Sequence, residues 1–140
     1  MGTSNGSFLD QRLDADALPL AVGDFLMLAA VLTIGFINHN GVDQIFNDPT
    51  GWILTLVPFL LGWGIFGVLI GAYSAGAAET AKASIPLTIR GWIPGAILGL
   101  GLRASPLFEG GFAWIFAAVI LATGMLALVV WRWLFFKIVG

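Results

Sequence analysis

Few side chains in this chain can do chemistry. Two charged ones, Asp24 and Arg90, fall inside stretches that are otherwise apolar. Each lies about six residues into such a stretch, so each sits roughly 9 Å along a helix from one common surface. An isolated charge at that depth costs up to about 3 kcal/mol on insertion scales, and pairing removes much of the cost. The expectation is an Asp24–Arg90 ion pair joining the first and third apolar segments. A proton or ion relay is one use of it. A structural clamp, or an Arg90 that snorkels to the headgroups, is the preferred reading, since one pair makes no pathway. A second polar group, His39, Arg103 and Glu109 with Asp43 and Asp48, falls at the opposite ends of the segments. One histidine with scattered carboxylates has no metal-ligand spacing, so these read as solvated loop residues rather than a cation entrance.

Catalytic constellations are missing. The chain has no cysteine, one histidine and one tyrosine, Tyr73. Ser84, Thr88, Ser105 and His39 are scattered, and none has a base at useful spacing. No catalytic residue, metal or cofactor is expected, and an enzyme acting on lipids ranks last. The net charge of −2 argues against nucleic acid.

The elements that hold these residues follow from composition. Of 140 residues, 59% are hydrophobic and 10% charged, against about a quarter charged in a soluble domain. Roughly 20 apolar residues cross a bilayer core as a helix. Four spans are expected, at about 18–37, 51–73, 85–102 and 111–131. Residues 1–17 are read as a polar, disordered tail without the basic start of a secretory signal. The third span reaches full length only if Arg90 lies inside the boundary; a re-entrant segment is the alternative. Asp48-Pro49 reads as a helix cap, and Ser84 as a cap for the third span ahead of Pro86. Pro58 and Pro94 fall inside helices as tolerated bends.

With four spans, Arg12, Lys82, Arg90, Arg132 and Lys137 share one side and Arg103 alone the other. Basic residues stay preferentially cytoplasmic, so both termini are expected there, in the plasma membrane. Trp52 and Trp114 then mark the outer interface, and Tyr73, Trp131 and Trp133 the inner one. Gly64, Gly67 and Gly71 on the second span and Gly91, Gly95 and Gly99 on the third make two small-residue faces for close helix contact. The third span would pack the second with its glycines and reach Asp24 with another face, leaving no glycine ridge for an oligomer. The fold class is an all-α, integral membrane four-helix bundle.

A family resemblance rests on particular residues. Gly23-Asp24 and His39, Pro58-Phe59-Leu60-Leu61-Gly62-Trp63, Trp92 through Leu102-Arg103, and Phe112 through Trp131-Arg132 together resemble the uncharacterised prokaryotic membrane-protein family called domain of unknown function 3054. The resemblance runs from about Leu18 to Trp133. It implies four spans and supplies no activity or catalytic residue. The function expected is a non-enzymatic structural or accessory membrane protein that binds lipid or a partner membrane protein, or forms a homo-oligomer. The alternative is a small oligomeric ion or solute transporter or channel using Asp24 and Arg90.

Overall fold

A computed structural model describes residues 11–108 and 111–139. Five α-helices form it: α1 (Leu18–Asn40), the short α2 (Asp43–Asn47), α3 (Pro49–Ile70), α4 (Ala81–Ala104) and α5 (Trp114–Val139). Four of them, all but α2, are long and apolar enough to cross a membrane. No strand occurs among the described residues. The polar tail expected at residues 1–17 lies in part outside the described residues. Asp14 caps a 3-10 turn at Ala15–Ala17, and its N–H donates to the Tyr73 carbonyl at 2.9 Å.

Local signals explain the helix ends. The Asp48 carboxylate accepts from the Gly51 N–H at 3.1 Å, with Pro49 as the first helical residue, as its sequence position implies. At the other end of α3 the chain turns at Gly71, which has φ +88°. There the Ala72 N–H donates back to the Gly67 carbonyl at 2.8 Å. That closure needs a left-handed residue, the usual place for glycine. It ends the span at Ile70 and leaves Tyr73 in the loop rather than in the helix. For α4 the cap is Thr80, whose hydroxyl accepts from the Ala83 N–H at 3.2 Å. Ser84, expected as that cap, is instead buried within the helix. At its far end α5 runs on past Trp131 to Val139, so Arg132 is inside the helix and not beyond it.

The long helices pack in a ring. α1 lies against α3 and α5, and α4 lies against the same two, with the most extensive contact between α3 and α4. α1 and α4 therefore face each other across the bundle. Lipid offers no hydrophobic drive between helices, so close packing and hydrogen bonds must supply the contact. Between α3 and α4 the backbones meet at glycines. A methyl group placed on Gly62 would run into the Gly95 carbonyl, and Phe59 and Trp63 lie against Gly99 and Gly91. Gly91, Gly95 and Gly99 are thus the contact face of α4. On α3 the matching face is Phe59, Gly62, Trp63 and Gly67, which corrects the expected ridge: Gly64 points to Phe25 of α1, and Gly71 belongs to the turn.

Tryptophans tie the other contacts. Trp131 of α5 covers Gly23 of α1 and donates to the Leu20 carbonyl at 3.2 Å. Trp92 of α4 covers Gly124 of α5 and donates to the Leu121 carbonyl at 3.0 Å. Trp52 of α3 donates to the Thr33 hydroxyl of α1 at 2.9 Å. In the first two cases a large ring fills the space over a glycine, and in all three the indole N–H finds an acceptor on the neighbouring helix.

Candidate functional site

The polar centre lies near one end of the bundle, where α1 starts and α5 finishes. Asp24 projects inward from α1 and Arg132 from α5, and both side chains are fully buried. Arg132 Nε donates to one carboxylate oxygen of Asp24 at 3.3 Å and Nη2 to the other at 2.5 Å. Its Nη1 donates to the Ala72 carbonyl at 2.9 Å and to the Ser84 hydroxyl at 2.8 Å. The Tyr73 hydroxyl donates to Asp24 at 2.7 Å, and Trp63 Nε1 donates to that hydroxyl at 2.6 Å. Tyr73 also lies under the guanidinium, 5.3 Å from ring centroid to Cζ.

Every long helix contributes to this centre. Asp24 comes from α1, Trp63 from α3, Ser84 from α4 and Arg132 from α5. The Gly71 turn swings the Ala72 carbonyl inward, so an orphan acceptor of the α3 end becomes a partner for Arg132. Ser84, one turn into α4, sits at the same level. Burying two ions costs several kcal/mol each unless geometry and further hydrogen bonds compensate. Here the pair is side-on and bidentate, the strong arrangement for arginine and carboxylate, and the leftover groups are bonded too.

The expected partner of Asp24 is thereby corrected. Arg90 does not meet it. Arg90 is exposed on α4, while the buried side of that helix carries Ser84, Thr88, Gly91 and Trp92. The physical reason is the ring order: α1 and α4 lie across the bundle, and α5 stands beside α1. Tyr73, expected at the interface as part of an aromatic belt, is buried in the centre instead. Arg132 was hidden by its position. A basic residue closing an apolar stretch looks like a flank, although here the helix continues beyond it.

The opposite end is less organised. His39 is exposed in the last turn of α1. Arg103 is half-buried and stacks over Phe116 of α5, 4.5 Å from the ring centroid. Glu109 lies outside the described residues. Among the described residues no three histidine, aspartate or glutamate side chains gather as a metal site would require.

The protein-family comparison is informative here. The family described as "Protein of unknown function (DUF3054)" matches residues 21–135. The chain belongs to that family. The matched stretch begins just before Asp24 and ends just after Arg132, so it spans the whole polar centre of this family member. No curated protein and no solved structure matches the chain.

Proposed function

We propose that this family member is a non-enzymatic, multi-pass protein of the prokaryotic plasma membrane, acting as a structural or accessory component that holds lipid or a partner membrane protein against its helical surface. One observation carries this reading. The buried acid, the buried base and the phenol between them are bonded to one another, to the Ser84 hydroxyl and the Trp63 indole, and to the Ala72 carbonyl. This bonding within the chain supports a structural use of the centre. What the bundle offers outward is apolar: Leu26, Ile34, Ile97, Ile115, Val119 and Leu126 are all largely exposed. Between α1 and α3 runs an apolar groove of about 430 Å³ walled by Ala21, Phe25, Gly64 and Val68.

Both termini are proposed to be cytoplasmic, and the distribution of basic residues supports this. Lys82, Arg90, Arg132 and Lys137 belong to the Asp24 end, and Arg103 to the other, which is the asymmetry of the positive-inside rule. A transporter or channel built on Asp24 and Arg90 draws no support from the geometry, because the two residues do not meet.

Extraction from native membrane in mild detergent tests the proposal. Lipid or a second protein, or another copy of this chain, is expected to travel with it. A lone, lipid-free monomer would count against the reading. A reporter fused after Gly140 is expected inside the cell; its appearance outside would reverse the orientation.

A further inference from the structure

The outward face of α4 is chemically divided. Lys82, Pro86, Arg90, Ile93, Ile97 and Gly101 recur every three or four residues, and all are exposed. Neighbours at that spacing form one stripe along a helix. Its first half is cationic and its second half apolar. Arg90 has no hydrogen bond or ion pair with any described residue, and Lys82 has none either. The only acid close by in sequence is Glu79, exposed in the loop ahead of the helix.

Arg90 is also deep. Ser84 marks the level of the buried centre, and Arg90 stands about 9 Å further along the span. A bare guanidinium facing hydrocarbon is costly, so it must reach a polar group. Side chains on a helix lean toward the helix N-terminus. From α4 that direction leads back past the short ring of Pro86 toward Lys82 and the membrane surface. A lipid phosphate would meet that need, since its oxygens suit a guanidinium fork. Two cations with no acid on the stripe favour a headgroup of net negative charge.

We propose that Lys82 and Arg90 bind the phosphate of an anionic phospholipid, whose acyl chain lies along Ile93 and Ile97. This deepens the surface-binding role proposed above and rests on it, by naming what the α4 face holds.

The full-length protein is purified in neutral detergent and offered phosphatidylglycerol and phosphatidylcholine with matched chains, and retained lipid is counted by native mass spectrometry. Wild type is expected to retain phosphatidylglycerol preferentially. Lys82→Gln and Arg90→Gln are each expected to lower that preference about fivefold, and Arg90→Lys to keep part of it. Arg103→Gln, at the other end, is expected to change nothing. Both α4 residues are exposed, so melting in neutral detergent is expected to be unaltered. Equal retention of the two lipids by wild type would overturn the proposal. So would an undiminished preference in the Lys82→Gln/Arg90→Gln double variant, or a co-purified protein whose retention depends on Arg90. If the lipid preference is absent while a protein still co-purifies independently of Arg90, the accessory role stands and the lipid site falls.

Discussion

Arg132 holds Asp24 side-on, with Nε on one carboxylate oxygen and Nη2 on the other. The two residues are fully buried and come from the first and last helices of the bundle. Removing one partner leaves the other as an uncompensated buried charge. Asp24→Leu and Arg132→Leu are each expected to destabilise the protein by about 3–5 kcal/mol. The double variant is expected to lose less than the sum, because no lone charge remains. Unfolding in mixed micelles with a denaturing detergent measures all three; additive losses would show that the pair is not coupled.

Arg90 gives the opposing expectation. It touches no acid, so Arg90→Gln is expected to stay within about 0.5 kcal/mol of wild type in the same assay. A loss comparable to that of Arg132→Leu would mean that Arg90 carries a fold contact.

Tyr73 is the bridge between the indole and the carboxylate. Tyr73→Phe leaves Trp63 Nε1 without its acceptor and takes one donor from Asp24, at an expected cost of about 1–3 kcal/mol. Trp63→Phe removes the other half of the first bond. Cycle measurement of the two variants together is expected to show coupling of about 0.5 kcal/mol or more. Simple additivity would dissolve the chain from Trp63 through Tyr73 to Asp24.

The α3–α4 contact predicts a sharp contrast among glycines. Gly62→Val would force its side chain into the Gly95 carbonyl, so the helices must separate, and the melting temperature in detergent is expected to fall by several degrees. Gly101→Ala meets nothing within 4 Å and is expected to melt with wild type. Equal melting of both variants would refute the close approach.

Much of the architecture was legible in the sequence because lipid imposes a length. Spans two and four are legible from unbroken apolarity and span one from apolarity interrupted only by Asp24, and Asp48-Pro49 marks a helix start. Asp24 could be recognised as a buried charge that needs a partner. The partner could not be chosen on depth alone. Arg90 and Arg132 both lie near the same end, and only the ring order of the helices decides between them. That order depends on which side chains interlock, such as Trp131 over Gly23 and Trp92 over Gly124. Periodicity names candidates for such contacts without pairing them. Gly62 was missed for the same reason: its importance comes from the Gly95 carbonyl opposite, not from its spacing to Gly64 and Gly67. Ser84 reads as a cap because Pro86 follows it, whereas Thr80 already closes the helix start.

The ring order also sets a sequence of events. Synthesis proceeds from α1 to α5, so the carboxylate of Asp24 enters the membrane first and its guanidinium last. A nascent chain with three spans holds Asp24, Tyr73 and Ser84, all awaiting one cation. α1 and α4 face each other across the bundle and share no extensive contact of their own. α5 therefore brings the residue that pairs with the buried acid and with the Ala72 carbonyl, and it lies against both α1 and α4. Arg132 is thus the last member of the centre to be synthesised, and it closes contacts whose other partners all precede it in the chain.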